Sequence, residues 1–358
     1  MKRVLLYIDS LGQGGAERQL CGLAVALKNR GYTVKFITRY RNQFYEPLLR
    51  EAHIDYELHE ELNPELTRIF RFARLIRRFK PDAVISFLQS SNKASLLTRF
   101  FNRRSKYIVS ERNFTHTVDF KVWLRFQIYR LADHVVCNSL TERENICRRA
   151  PYLAHKTLTI HNFVDCGHFK PLPHKRNETP VILTAARIAE QKNTLGYIRA
   201  IAMLKERGVK FRCKWIGMSI LTKQYHEQAV RLVNELGVED VFEMEGETDN
   251  ILKEYQAADF FCLPSLFEGF PNVICEAMSC GLPTLCSRVC DNPAIVEDGV
   301  NGFLFDPTDI ADMADKLQAA LEMDQGAYAA MSAANRRLVE QRLPIEAFAR
   351  SYINLIET

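Results

Sequence analysis

The chain is predicted to be α/β, with two Rossmann-like, doubly wound domains built on parallel sheets. Three observations predict this. Short runs rich in β-branched residues alternate with helical patterns along all 358 residues. A polar break at 161–180, with four prolines or glycines and little apolar periodicity, interrupts the rhythm before it restarts. The length also exceeds what one hydrophobic core usually serves, so about two domains are expected.

Each element follows from its local pattern. In the first half, strands are predicted over 4–9, 34–38, 83–87, 107–109 and 135–137. Helical periodicity falls between them, around 16–30, 65–79, 91–102, 121–131 and 140–149. The segment 161–180 reads as an interdomain linker. Beyond it, strands are predicted over 181–186, 211–216, 241–245, 260–263 and 284–286, with helices over 195–205, 223–236, 249–257 and 272–279. The end is helical over 309–322, 326–340 and 345–356. Two such domains would take a ligand in the cleft between them, outside the carboxyl ends of the strands.

Composition narrows the function classes. With 47% hydrophobic and 25% charged residues, disordered and collagen-like chains are excluded. No run approaches the roughly 18 apolar residues of a membrane span, and the first apolar run is too short, with Asp9 behind it, for a signal peptide. Ten cysteines without a C-x-x-C pair read as reduced core thiols of a cytoplasmic protein, with a metal or redox site as the other reading. Charge is uneven. Residues 1–170 hold 29 Lys and Arg against 16 Asp and Glu, a balance of +13; residues 171–358 hold 19 against 27, a balance of −8. An anionic partner is therefore expected for the first half, and a merely solvated basic surface is the bland alternative.

Three segments carry candidate chemistry. Gly12-Gln13-Gly14-Gly15-Ala16-Glu17 follows the first strand and opens a helix, where glycines permit a tight turn and free N–H groups favour an anion. It is half a dinucleotide fingerprint, with Glu17 at the third glycine position and Arg39 and Arg41 where strand two would end in an acid, so an NADP-binding domain stays open as an alternative. More specific is Glu268-Gly269-Phe270-Pro271-Asn272-Val273-Ile274-Cys275-Glu276. Pro271 suits the first turn of a helix, and the N–H groups of Asn272, Val273 and Ile274 would then point at a phosphate. Glu276 lies roughly 7.5 Å further along the axis, the step from a diphosphate to the ribose of the same nucleotide. Glu268, at the other end, would grip a sugar hydroxyl. A glycosidase acid/base pair is the competing reading, but it has no use for a phosphate-binding helix start between its carboxylates. Third, Arg187 and Lys192 stand just past the first strand of the second half, placed to neutralise a diphosphate leaving group.

The stretch from Glu268 through Cys280-Gly281-Leu282-Pro283 resembles the signature of the retaining glycosyltransferases of family four. Gly14-Gly15-Ala16-Glu17, the Arg187/Lys192 pair and Glu297-Asp298-Gly299-Val300-Asn301-Gly302 are similar to its other landmarks, in the same order across essentially the whole chain. The resemblance implies the GT-B fold, with domains at 1–165 and 166–342 and a final helix, 343–358, crossing back to the first. It implies that Glu276 binds ribose hydroxyls and Glu268 the donor sugar. Gly269, Phe270, Pro271, Asn272 and Val273 would supply contacts to sugar and phosphate, Arg187 and Lys192 would hold the diphosphate, and Gly14 and Gly15 would approach it. Where many members carry a histidine, this chain has Val109-Ser110-Glu111-Arg112-Asn113, so Glu111 is expected either to face the sugar or to pair with Arg112.

The chemistry implied is transfer of a hexose or N-acetylhexosamine from a UDP- or GDP-sugar to a glycan acceptor, lipid-linked or of lipopolysaccharide type, with retention of configuration. A GT-B nucleotide-sugar hydrolase or epimerase and an NADP-dependent oxidoreductase are the alternatives. No D-x-D occurs in the chain, so no Mg²⁺ or Mn²⁺ site and no cofactor is expected. The basic half is assigned to an anionic membrane surface rather than to nucleic acid, peripheral on the cytoplasmic face of an inner membrane. The helix over 65–80 carries Arg68, Arg71, Arg74, Arg77, Arg78 and Lys80, with Leu66, Ile69, Ala73 and Ile76 as its core face. Phe72, Leu75 and Phe79 form a second apolar line that is expected to meet lipid, repeated by Phe44, Tyr45, Leu48 and Leu49 beside Arg39 and Arg41.

Overall fold

The structure, a computed structural model, describes residues 1–41, 44–59, 65–116, 119–172, 176–217 and 223–358. The chain divides into one unit of Met1–Phe163 with Ile345–Thr358 and a second of Val164–Pro344. Each is a parallel sheet covered by helices on both faces.

The first unit's strands are β1 (Arg3–Tyr7), β2 (Thr33–Thr38), β3 (Asp55–Leu58), β4 (Ala83–Phe87), β5 (Lys106–Glu111), β6 (His134–Cys137) and β7 (Thr157–Thr159), in the order β3-β2-β1-β4-β5-β6-β7. Alternate residues serve opposite faces, as the strand period of two requires. Val4, Leu6, Val34, Phe36, Ile85, Phe87 and Ile108 pack beneath the helix Gly15–Asn29. Leu5, Tyr7, Ile37, Val84, Tyr107 and Val109 pack against the other side. The final helix, Ile345–Glu357, lies on the first of these faces through Phe348, Tyr352 and Ile356, and Tyr32 Oη donates to Glu357 at 2.6 Å. Its return to the first unit matches the expectation.

The second unit holds β8 (Val181–Ala185), β9 (Arg212–Ile216), β10 (Phe242–Glu245), β11 (Phe260–Leu263), β12 (Thr284–Ser287) and β13 (Gly302–Phe305), ordered β10-β9-β8-β11-β12-β13. The linker expected over 161–180 is partly core: Val164 and Phe169 are buried against Tyr255 and Met278, while residues 173–175 lie outside the described ones. All ten cysteines are free thiols and seven of them are buried.

The helix Glu65–Phe79 corrects the lipid-facing expectation. Phe72 and Leu75 are core residues, with Phe72 packed on the Tyr7 ring at 4.6 Å between centroids. Phe79 is half-buried against the same cluster, and the Leu66 side chain lies outside the described ones. The two apolar lines are one wide stripe, of the width a helix covering a sheet needs. Burying a Phe side chain contributes roughly 1.5–3 kcal/mol, so the core outcompetes a lipid interface for it. Arg68 is buried too and donates to Ser90. In the second expected patch Leu49 is fully buried, whereas Phe44 and Leu48 remain exposed. What the helix does present to solvent is Arg71, Arg74, Arg77 and Arg78, together with Thr67 and Phe70, which is 60% exposed.

Candidate active site

The second unit's sheet positions the site. Strands β8 and β11 are neighbours, with Ile182 beside Phe260 and Leu183 beside Phe261. From β8 the chain runs to the helix Thr194–Glu206 on one face; from β11 it runs to the helix Asn272–Ser279 on the other. Connections that depart to opposite faces from adjacent parallel strands open a crevice at the strands' carboxyl ends, the switch point where α/β sheets take ligands. Arg187 and Lys192 lie on the loop after β8. Ser265, Glu268, Gly269, Phe270 and Pro271 lie on the loop after β11.

The two loops are stitched together. Leu266 N–H donates to the Gln191 carbonyl at 2.9 Å, and Gln191 Nε2 donates to the Phe267 carbonyl at 3.1 Å. Lys192 Nζ donates to Glu268 Oε1, which also accepts from Ser265 Oγ at 2.6 Å. The Lys192 and Glu268 side chains are only 14% and 9% exposed, so water screens the pair weakly. Asn193, in the left-handed region at φ 54°, turns the chain from this loop into the helix Thr194–Glu206, a conformation asparagine tolerates better than most residues. The ammonium of Lys192 has three donors and gives one to Glu268. Arg187, four residues earlier than Gln191, is exposed.

The helix start differs in detail from the sequence expectation. Pro271 is the N-cap rather than the first helical residue, with φ −83° and ψ 81°. The Asn272 N–H turns back to the Phe270 carbonyl at 3.0 Å, and the Ile274 N–H bonds the Pro271 carbonyl at 3.1 Å. Of the three amides expected to face a phosphate, two are therefore bonded to the chain. The third, on Val273, has no backbone acceptor among the described residues, and Gly269 beside it has no side chain to cover the approach. Glu276 lies four residues into the helix, about 6 Å along its axis. It is buried and accepts from Tyr255 Oη at 3.3 Å. The far end of this helix is fixed as firmly. Gly281, at φ 80°, donates to the Met278 carbonyl and Leu282 to Ala277, the paired closure that a left-handed glycine permits. Arg336 then binds the Ser279 and Phe169 carbonyls.

Ser265, Gln191 and Tyr255 were not among the residues read from sequence. Ser265 carries a faint signal, since Ser265-Leu266-Phe267-Glu268 has the S-x-x-E spacing of a capping box, here without a helix. Tyr255 carries none.

The first unit answers two further expectations. Gly14 caps the helix Gly15–Asn29 with ordinary extended dihedrals, φ −73° and ψ 155°, and neither it nor Gly15 has a positive φ. The tight-turn explanation of these glycines is thus replaced by one of space: a Cβ on Gly14 would meet the Glu17 carboxylate. That carboxylate bends back over its own helix start, with Ser10 Oγ donating to it at 3.4 Å. Its pKa is raised, chiefly by burial. An acid in this place opposes the pyrophosphate that an NADP site would put there.

Glu111 is held by partners inside the first unit, and Arg112 is not one of them. Consecutive residues on a strand point to opposite faces. Glu111 turns inward to accept from Tyr129 Oη, with Arg125 at 3.9 Å, and is 1% exposed. Arg112 lies over the Phe87 ring at 4.1 Å on the other side, where burial lowers its pKa to about 10. Burial likewise raises the Glu111 pKa. A carboxyl whose folded pKa exceeds its unfolded value contributes stability below the unfolded pKa and loses it as pH rises through the folded one. Glu111→Gln is therefore expected to flatten the fall in stability on going from pH 4.5 toward neutrality. Urea melts at a series of pH values check this; a slope identical to the wild type's would refute it.

Among the described residues no three His, Cys, Asp or Glu side chains converge to hold a metal ion.

Comparison with known proteins places these features. Residues 13–168 match the model of Glycosyltransferase Family 4, and residues 169–338 match that of Glycosyl transferases group 1. A Campylobacter jejuni relative, the N-acetylgalactosamine-N,N'-diacetylbacillosaminyl-diphospho-undecaprenol 4-alpha-N-acetylgalactosaminyltransferase, is 25% identical over 305 residues, 80% of this chain and 81% of its own. Among solved structures, a glycosyltransferase of Rickettsia africae superposes with a TM-score of 0.88 at 18% identity, covering 99% of this chain and 98% of that one. Anabaena HepE in complex with UDP gives 0.86 at 21% identity, covering 99% of both. The two doubly wound sheets are those of the GT-B fold, and with its two halves matched in turn by these models the chain belongs to the family 4, group 1 glycosyltransferases.

Proposed function

We propose that the chain is a retaining, metal-independent glycosyltransferase. It moves a hexose or N-acetylhexosamine from a UDP- or GDP-sugar to a glycan acceptor carried on a lipid at the cytoplasmic face of a bacterial inner membrane. The observation that carries this reading is the Glu268–Lys192 pair at the switch point, beside the open amide of Val273. An acid fixed next to a cation and a phosphate-directed N–H suits a sugar phosphate: the carboxylate takes the sugar, the cation the diphosphate. The lipid-linked acceptor is supported by the Campylobacter relative, whose name specifies a diphospho-undecaprenol glycan.

In the proposed reaction the bond from the anomeric carbon to the diphosphate oxygen breaks, and the acceptor hydroxyl attacks from the same face. Its proton passes to the departing phosphate, so no protein nucleophile is used. Arg187, the free donors of Lys192 and the Val273 amide stabilise the charge that develops on the leaving group. Glu276 holds the ribose and thereby the position of the phosphates.

Product analysis tests both halves of the reading. With an α-linked donor, the glycoside formed is expected to show an α-anomeric proton coupling by NMR; a β-product would contradict retention, and free sugar alone would point to a hydrolase. Activity is expected to survive EDTA. Complete loss that Mn²⁺ restores would show that a metal is required.

A further inference from the structure

Among the described residues, the second unit has two non-glycine residues with a positive φ, Asn193 at 54° and Cys290 at 49°. Asn193 turns the chain directly after Lys192 and Cys290 lies against Glu268, so both border the same ion pair. Asparagine adopts the left-handed region readily. Cysteine has a Cβ that crowds the backbone there and no short polar side chain to compensate. Strain of this kind gathers at functional sites, and it persists only where the surrounding structure over-determines the conformation.

The surroundings of Cys290 do hold it. The chain leaves β12 after Ser287 and turns through Val289-Cys290-Asp291-Asn292, where the Asn292 N–H donates to the Val289 carbonyl at 3.1 Å. Cys290 is the first central residue of this turn, a place where positive φ ordinarily selects glycine. The Asn292 side chain is fully buried and donates through Nδ2 to the Ser287 carbonyl at 2.9 Å, which ties the turn to the end of its strand. β12 pairs with β11, with Cys286 beside Leu263, so the turn stands next to the loop that carries Glu268. From there Cys290 Sγ accepts the Glu268 N–H at 3.4 Å. Glu268 is thus gripped twice: its carboxylate by Ser265 and Lys192, its backbone by a sulfur from the neighbouring strand's loop.

We propose that Cys290 is a positioning residue for the transfer reaction. Its sulfur fixes the Glu268 amide, and with it the carboxylate, while the backbone is held in a conformation that glycine would relieve. This role rests on the reading of Glu268 as the acid that faces the donor sugar. Sulfur is a weak acceptor, so the effect of losing it is smaller than that of losing the acid itself. Removing the acceptor should lower kcat roughly 2- to 10-fold, the range of one ordinary hydrogen bond. The donor KM should stay nearly unchanged, because the Glu268 contact strengthens toward the transition state.

The experiment compares Cys290→Gly, Cys290→Ala and Cys290→Ser in the full chain. Turnover is read as nucleotide release, with water in place of the acceptor, from UDP-glucose, UDP-galactose, their N-acetylamino counterparts and GDP-mannose; the fastest donor is carried into steady-state kinetics. Cys290→Gly should raise the melting temperature by roughly 2–4 °C and yet lower kcat. Cys290→Ala should lower kcat equally without that gain, and Cys290→Ser, which keeps an acceptor on the same Cβ, should stay within about twofold of the wild type. A cysteine that served only the fold would make activity follow stability, so full kcat in the more stable Cys290→Gly overturns the proposal. So does a Cys290→Ser variant that falls as far as Cys290→Ala. Amide hydrogen exchange at Glu268 reads the contact without any donor: it should quicken in the Gly and Ala variants, and an unchanged rate overturns the proposal on its own. Adding Cys290→Ala to Glu268→Ala should lower kcat no further, and a further fall of the same size would show that the sulfur does not act through Glu268. Wild-type kcat in Glu268→Ala would sink the reading of Glu268 itself, whereas a deficient Glu268→Ala beside silent Cys290 variants would sink the positioning role alone.

Discussion

Glu268→Ala should lower kcat by about 10²- to 10³-fold, the loss typical when one preorganised group aimed at developing charge is removed from an enzyme site. Two effects of the same sign act together. The carboxylate proposed to face the sugar disappears while the anomeric carbon gains positive charge, a contact expected to strengthen toward the transition state and so to appear in kcat more than in KM. Lys192, whose side chain is 14% exposed, also loses its counter-ion and is left with Ser265 nearby as the remaining polar group of the trio. Glu268→Gln separates the two contributions: it keeps the shape and a hydrogen-bonding oxygen for Lys192 but removes the charge. Steady-state kinetics on both variants, with melting temperatures as a control for folding, check this. A kcat within a few-fold of the wild type in both would remove Glu268 from the chemistry.

Replacing Glu276 should act on binding. Its carboxylate is expected to accept the two ribose hydroxyls in the ground state and in the transition state alike, so Glu276→Ala raises KM with kcat nearly unchanged. A hydrogen bond to a charged group contributes about 1.5–3 kcal/mol, which corresponds to a roughly 10- to 150-fold weaker grip on the nucleotide. The same change removes the acceptor that Tyr255 Oη has at 3.3 Å, and Glu276→Ala/Tyr255→Phe removes the hydroxyl with it. If the double variant regains stability without regaining affinity, the ribose contact is the cause. A KM equal to the wild type's would exclude Glu276 from nucleotide binding.

The sequence disclosed most where one contiguous stretch carried both structure and chemistry. Glu268 to Glu276 could be read as a loop, a helix start and two acids because proline, glycine and helical spacing all act locally, and the switch-point crevice follows from the order of strands. Edge elements escaped detection. β3, with the sequence Asp55-Tyr56-Glu57-Leu58, and β7, Thr157-Leu158-Thr159, are short and lack a buried apolar run, since an outer strand is not enclosed on both sides. β13 begins at Gly302 and spans only four residues. The side-chain partners of the site were less legible still. Ser265, Tyr255 and Cys290, whose Sγ accepts from the Glu268 N–H at 3.4 Å, meet the glutamates only through tertiary packing.

Two misreadings share a cause. Periodicity reveals that the helix over 65–79 is apolar on part of its circumference, but not how wide a stripe the sheet beneath demands. Phe72 and Leu75 therefore seemed spare when they were core. For Glu111 the strand was evident, yet which of its faces looked into the Tyr129 cluster depended on a one-residue register that only the folded sheet sets.

A crystal structure of the chain with UDP tests the central claim most directly, that the crevice between β8 and β11 is the donor site. The predicted result places the ribose hydroxyls on Glu276 and the diphosphate within hydrogen-bond reach of the Val273 amide, Lys192 and Arg187. A nucleotide bound instead at the helix start behind Gly14, with no contact to Glu276, would contradict it.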